Sequence, residues 1–235
     1  MTWILTNSAQ AFDLLNPCAE NVITTDLAHA LSLVCRFNGH CAHHYSVAQH
    51  SLLVAYIIEQ EGGTPEEQLS GLLHDGTEAY ISDLTRPLKL LLIEAAKQRE
   101  HAWLNIVEEY ISISGVRMAP RTQAAAMRIL TTSEREGLSL LLDTYHQIEQ
   151  RIWLAIAERF HLAPELPECV KHADMIALAT EKRDLLPEHR AEWECLQGYA
   201  ALPQRIPKLQ QEAVRQQFHD RLLQLLATTH RATAA

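Results

Sequence analysis

Apolar residues recur at intervals of three and four over most of the chain, a spacing typical of amphipathic helices. A first helix is expected to begin at Thr25 or Asp26, either of which would cap it. Its apolar face then consists of Leu27, Ala30, Leu31 and Val34. Thr64, Pro65 and Glu67 indicate another helix start, with Thr64 at the N-cap. Because nearly every segment has this period, the predicted fold class is all-α.

The N-terminal segment is the exception to the helical pattern. Residues 3–6 and 21–24 are short and prone to form strands. We expect these two stretches to pair as a small hairpin across the loop that contains Asn16 and Pro17.

Composition narrows the class of protein further. At 235 residues, with 47% hydrophobic and 21% charged residues, the chain is expected to form one globular domain over residues 1–235. A net charge of -9 argues against an extended surface for nucleic acid. The five cysteines include no C-x-x-C pair, so we expect reduced thiols in a cytoplasmic protein. No signal peptide or membrane-spanning run is predicted.

A histidine and an aspartate lie side by side where an apolar helical run ends. His74 and Asp75 follow Leu69, Leu72 and Leu73, which are spaced to face a core. An ionised carboxylate in such a position is costly unless it is paired or bound to a cation. Neighbouring side chains on a helix point about 100° apart, so both can reach one ion.

Two further polar residues lie on apolar helix faces. His50 lies between Val47 and Val54, and Asp174 lies four residues after Val170. Alone, His50 would be read as a hydrogen-bonded core histidine, and Asp174 as a surface acid. Two imidazoles and two carboxylates turned into one core instead indicate a divalent metal site. The predicted ligands are His50, His74, Asp75 and Asp174.

A histidine-rich loop contains His40, His43 and His44. These residues are consistent with a second metal site, with the lining of a phosphate or substrate pocket, or with exposure to solvent. No helical spacing constrains them, so the sequence leaves the three alternatives open.

The segments around these residues resemble those of the HD-domain metal-dependent phosphohydrolases, particularly the bacterial 5′-deoxynucleotidase branch. The matching segments are 36–37, 39–40, 45–51, 74–80, 83–89, 170–174 and 180–184. Their order and spacing fit over roughly residues 1–90 and 140–225. The resemblance implies an HD-domain helical bundle with a helical insertion at about 90–140. It also suggests a homodimer.

The residues themselves suggest some roles near the metal. Arg36 is the leading candidate for gripping a phosphate, since a guanidinium can donate two hydrogen bonds to it; Lys89 is a weaker one. Glu78 lies one helical turn after His74 and is suited to orienting water, although it could equally be a cap or a surface acid.

The resemblance adds to these roles. Glu78 falls at the family's acid/base position, and Asp75 joins it as a predicted catalytic residue. Asp83 matches the position that contacts the sugar, and Phe37 replaces the family's tryptophan, which puts sugar selectivity in doubt. The predicted substrate-binding residues are Arg36, Phe37, His40, Asp83 and Lys89.

The sequence thus predicts a metal-dependent enzyme that hydrolyses (deoxy)nucleoside 5′-monophosphates to nucleoside and phosphate. Alternatives on the same site are hydrolysis of a nucleoside triphosphate or a short oligonucleotide, and a non-catalytic nucleotide-binding protein. The ligand types do not distinguish Co, Mn, Zn, Ni, Fe and Mg.

Overall fold

The computed structural model describes residues 2–92, 94, 98, 101, 105, 109, 112 and 142–233. The chain divides into two compact units, Met1–Asp83 with Arg151–Ala235, and Leu84–Gln150. All four predicted metal ligands belong to the first unit. The insertion predicted at about 90–140 lies, apart from residues 90–92 and six single positions, outside the described residues.

The described residues are mainly helical, as predicted, with one small sheet. Strands β1 (Trp3–Leu5) and β2 (Ala11–Asp13) form an antiparallel hairpin. The helices are α1 (Thr24–Leu33), α2 (Val47–Gln60), α3 (Pro65–Leu73), α4 (Glu78–Ile81), α5 (Leu142–Phe160), α6 (Glu168–Leu185) and α7 (Gln211–Thr233). Short 3-10 turns lie at Ala19–Asn21, Arg36–Gly39 and Glu194–Leu196. Within the described ranges, every helix is too short or too polar to span a lipid bilayer.

The hairpin is present, but its predicted second strand was wrong. Trp3 pairs with Asp13 and Leu5 with Ala11, while residues 21–24 close a 3-10 turn and open α1. The backbone N–H of Thr6 donates to the carbonyl of Gln10 at 2.9 Å, which closes a tight turn between the strands. A short turn costs less closure entropy than the longer loop that the sequence interpretation required.

The predicted cap of α1 was also wrong. The N-cap residue is Ile23, and no side chain caps the helix. Asp26 is buried and accepts hydrogen bonds from the backbone N–H of Ser8 at 2.8 Å and from its hydroxyl at 2.6 Å. Two donors satisfy the buried carboxylate, so Asp26 ties the hairpin turn to α1 instead of capping it.

The start of α3 follows the prediction. The Thr64 hydroxyl accepts from the Glu67 N–H at 3.2 Å, while the Thr64 N–H donates to the Glu67 carboxylate at 2.7 Å. Pro65 occupies the first turn. This reciprocal capping box satisfies two backbone donors and sets where the helix begins. The helix ends at Leu73, immediately before His74.

One hydrophobic cluster of the core of the first unit lies between α2 and α6. Its buried residues are Val54, Ile57, Ile58, Val170, Ala173 and Ala177. Helix α3 approaches α2 closely at Gly71, where an added Cβ would lie 2.4 Å from Cδ1 of Ile58. This packing brings the C-terminal end of α3 beside α2, and so positions His74 near His50.

Candidate metal centre

Three of the four predicted ligands converge. His50 lies on α2, His74 follows the last residue of α3, and Asp174 lies on α6. One ligand atom from each lies within 4.8 Å of the others, the one such group of histidine, cysteine or acidic side chains within the described residues. His50 Nε2 lies 3.3 Å from His74 Nε2 and 3.2 Å from Asp174 Oδ1. The structure thus confirms that these three side chains could hold a metal ion.

The spacing of the ligand atoms suits a single divalent ion. Two ligands bound at about 2.1 Å would be about 3.4 Å apart at a tetrahedral angle and about 3.0 Å apart at a right angle. The observed separations of 3.3 and 3.2 Å lie between these values. Two imidazole nitrogens and a carboxylate oxygen suit several transition metals, so the donor set does not select one.

Asp75 borders this group. Its Oδ2 lies 3.3 Å from His74 Nε2 and 3.5 Å from His50 Nε2. The same oxygen accepts a hydrogen bond from Nη1 of Arg36 at 3.3 Å. A ligand role for Asp75 therefore remains a prediction, but its position within reach of both imidazoles is compatible with one.

The two imidazoles are held from the other side of each ring. His50 Nδ1 donates to Oε1 of Glu181 at 2.6 Å, and His74 Nδ1 donates to the carbonyl of Gly71 at 2.8 Å. In the neutral ring, which is the form that binds a metal, a proton on Nδ1 leaves the lone pair of Nε2 directed at the group. Glu181, the partner of His50, is completely buried.

Opposite charges offset the cost of burial in this group. Burial and the nearby Arg36 disfavour a charge on His50, but the carboxylates of Glu181 and Asp174 raise its pKa to about 10. Burial opposes ionisation of Asp75, yet the neighbouring histidines and Arg36 hold its pKa well below its usual value. The carboxylates therefore stay ionised, the form in which they bind cations.

Arg36 lies at the edge of the group. Its Nη1 donates to Asp75 at 3.3 Å and its Nη2 to Glu181 at 3.2 Å. Its Nε is buried and has no hydrogen-bond partner among the described residues. The guanidinium lies 5.4 Å from the ring centre of Phe37. Phe37 and Asn38 have φ angles of 56° and 50°, a left-handed conformation that non-glycine residues adopt only when the surroundings impose it.

The remaining predicted site residues differ in burial and in the unit to which they belong. Glu78 is buried at the start of α4, and its charge is among those that raise the pKa of Arg36 against the effect of burial. Asp83 is half-buried after α4, whereas His40 is exposed. Lys89 belongs to the second unit, where its Nζ donates to Glu149 at 3.2 Å and lies 5.5 Å from the ring centre of Tyr145.

The histidine-rich loop forms no second group of this kind in the described part of the chain. His44 Nε2 lies 3.2 Å from the amide nitrogen of Gln211 and 3.4 Å from the carbonyl of Leu33. His44 therefore has protein partners, which favours a structural role for it over metal binding.

Exposure differs across the converging ligands. The side chains of His50 and His74 are 0% and 8% exposed, whereas those of Asp75 and Asp174 are 22% and 35% exposed. The histidines thus form the buried side and the carboxylates the side that faces solvent. A substrate oxygen or water can approach from the carboxylate side.

A separate, mainly apolar cavity of about 400 Å³ lies between α2, α6 and the segment before α7. Gln49, Thr180 and Pro207 are among its lining residues, but none of the converging ligands is. The candidate metal ligands therefore lie outside this cavity.

The sequence matches no family model. It is 30% identical over 203 residues to the uncharacterized protein YfdR of Escherichia coli, an alignment that covers 86% of this chain and 82% of that relative. It is also 37% identical over 91 residues to an uncharacterized protein of Rhodobacter capsulatus, covering 37% of this chain and 46% of that one. Identity at this level over most of both chains shows that the protein belongs to the family of Escherichia coli YfdR.

Proposed function

We propose that this protein is a divalent-metal-dependent phosphohydrolase of the HD-domain type, which hydrolyses (deoxy)nucleoside 5′-monophosphates to nucleoside and phosphate. The observation that carries the proposal is the convergence of His50, His74 and Asp174 beside an arginine. Metal sites built from histidine and carboxylate ligands occur in enzymes of many reaction types, so the metal ligands alone do not select one. The guanidinium bonded to Asp75 at 3.3 Å adds the fixed cation that a phosphate monoester requires.

The metal and Arg36 would divide the charge of the phosphate between them. A divalent ion held by His50, His74 and Asp174, with Asp75 beside them, would neutralise phosphate charge and lower the pKa of water at the site. Arg36 is suited to donate to the phosphate oxygens, because Nη1 and Nη2 each carry a second N–H beside the one that bonds Asp75 or Glu181.

Glu78 and Asp83 complete the proposed reaction. As water attacks phosphorus and the ester P–O bond breaks, we assign Glu78 to accept the proton of the water and deliver it to the departing 5′-oxygen. The negative charge of Glu78 is among those that raise the pKa of Arg36, and this interaction with the proposed phosphate-binding residue supports the role. We assign Asp83 to the 3′-hydroxyl of the sugar and Phe37 to stacking.

Product analysis by chromatography tests the proposal. Metal-loaded protein is incubated with dAMP, AMP, dATP and a short oligonucleotide, with and without EDTA. We expect deoxyadenosine and phosphate from dAMP, only when metal is present. Asp75→Ala should abolish the product, whereas Asp184→Asn should retain it, because Asp184 contacts Arg183, Arg205 and Ile206 and no member of the metal group.

The other outcomes separate the alternatives. Cleavage of dATP or the oligonucleotide alone would keep the metal site and change the substrate. Metal binding without cleavage of any substrate would contradict the proposed enzyme and favour a nucleotide-binding protein.

A further inference from the structure

Glu181 is a fully buried acid on α6, two helical turns after Asp174. Removing a carboxylate from water destabilises the fold unless hydrogen-bond or charged partners satisfy it. The guanidinium of Arg36 and the imidazole of His50 are the partners that satisfy Glu181.

The two oxygens of Glu181 have different partners. Oε1 accepts from Nδ1 of His50 at 2.6 Å, and Oε2 accepts from Nη2 of Arg36 at 3.2 Å. His50 lies on α2, and Arg36 lies in the 3-10 turn that precedes it. In the function proposed above, His50 binds the metal and Arg36 binds the phosphate. One carboxylate thus contacts a member of each half of the site.

We propose that Glu181 is a positioning residue that couples metal binding to phosphate binding, an inference that rests on the proposed function. A carboxylate is planar and rigid, so a rotation that improves its contact with His50 changes its contact with Arg36. When His50 binds a metal, its Nδ1–H becomes a stronger donor to Oε1 and holds the carboxylate in place. Arg36 is then held in the orientation in which it meets the phosphate.

Replacement by glutamine separates this role from simple burial. Glutamine preserves shape but has one acceptor and one donor where glutamate has two acceptors. If the amide oxygen faces His50, the amide N–H₂ group meets the donor Nη2 of Arg36. If the amide turns round, it meets the donor Nδ1 of His50. E181Q must therefore lose one of the two contacts.

The experiment is a double-mutant cycle on metal affinity, with wild type, E181Q, R36M and the double variant. Each protein is titrated with Co²⁺ and followed by its visible absorption, at a temperature well below the lowest unfolding midpoint. We expect E181Q to weaken Co²⁺ binding by about 10- to 100-fold, the usual effect of removing a partner of a ligating histidine. In the R36M background this loss of Co²⁺ affinity should shrink by at least about threefold. Without Arg36, the amide oxygen of the glutamine can face His50 while its N–H₂ group no longer meets the guanidinium.

Phosphate binding gives the second readout. Inorganic phosphate is titrated into the Co²⁺-loaded proteins by calorimetry, and E181Q should bind it several-fold more weakly than wild type. D184N is the matched control on the same helix. It should lose stability, since Asp184 is hydrogen-bonded to the N–H of Ile206 at 2.9 Å, but keep both affinities.

Two outcomes overturn the inference. One is E181Q with wild-type affinity for both Co²⁺ and phosphate, and the other is Co²⁺ penalties that add within about twofold in the double variant. Either would leave Glu181 as an ordinary buried ion pair. Failure of the wild-type protein to bind Co²⁺ would instead overturn the proposed function together with the inference.

Discussion

The orientation of each imidazole at the candidate metal centre depends on a partner outside the group of proposed ligands. His50 has a carboxylate behind its ring and His74 has a backbone carbonyl. Both partners accept only, so both rings must be protonated at Nδ1 and present Nε2 to the centre. A carbonyl three residues earlier serves His74, whereas His50 depends on Glu181, which lies 131 residues away along the chain.

Asp184, on α6, bonds to two residues of the segment that precedes α7. Its carboxylate accepts from Arg183 at 2.6 Å, from Arg205 at 2.7 Å and from the N–H of Ile206 at 2.9 Å. These bonds, that of Arg183 foremost, lower its pKa to about 2 against the opposing effect of burial. Because the pKa is lower in the folded chain, Asp184 stabilises the fold above about pH 4, and the contribution is lost as pH falls through about 2.

We therefore predict that Asp184→Asn lowers the free energy of unfolding by about 1–3 kcal/mol at neutral pH. The difference from wild type should narrow as pH falls from about 5 to about 2. Urea unfolding at a series of pH values measures this. Glu192→Gln, at an exposed acid, is the control and should follow wild type throughout. A difference that stays constant with pH would show that ionisation of Asp184 is not the cause.

For individual residues, the sequence predicted the candidate metal ligands better than the side chains that bond to them. His50 and Asp174 could be identified because each interrupts an apolar helix face, a pattern that is local. The partnership of Arg36 with Asp75 spans 39 residues, and the contact of Glu181 with His50 spans 131. Contacts at such separations depend on how the helices pack, which periodicity does not specify.

Among the elements, local signals again gave the correct predictions. The capping box of Thr64 and Glu67 needs only residues three positions apart, and the structure confirms it. The predicted second strand was wrong because a tight turn pairs β1 with Ala11–Asp13, which is nearer along the chain than residues 21–24. The predicted cap of α1 was wrong because the Asp26 carboxylate accepts from Ser8 instead of from the first turn of the helix.

The packing of α3 on α2 at Gly71 leads to a prediction about these two helices. An added Cβ would lie 2.4 Å from Cδ1 of Ile58, which is fully buried. We expect Gly71→Ala to lower the free energy of unfolding by about 1–3 kcal/mol through overpacking. This loss should exceed the gain in helix propensity, which is at most about 1 kcal/mol.

Ile58→Val removes the atom responsible and provides the compensating variant. Alone it should cost about 0.5–1.5 kcal/mol through the space it leaves. Combined with Gly71→Ala, it should cost clearly less than the two separate losses together, as measured by urea unfolding. Strict additivity would mean that the helices relieve the contact by moving apart.

For the first unit as a whole, the candidate metal centre joins elements that are distant in the chain. His50 belongs to α2, His74 follows α3, and Asp174 belongs to α6. An ion bound by all three would link these helices only in the folded state, since the unfolded chain does not bring them together. Binding must therefore raise the free energy of unfolding in proportion to the logarithm of the free ion concentration.

The resulting prediction is a rise in melting temperature on addition of Mn²⁺ or Co²⁺, reversed by EDTA and followed by circular dichroism. Ion at a hundredfold excess over its dissociation constant should add about 2.7 kcal/mol. Asp174→Asn should abolish the rise, whereas Asp184→Asn should melt lower but keep it. A rise that persists in Asp174→Asn would show that the ion binds elsewhere. The loop of His40, His43 and His44 would then be the next site to test, by replacing those histidines with alanine.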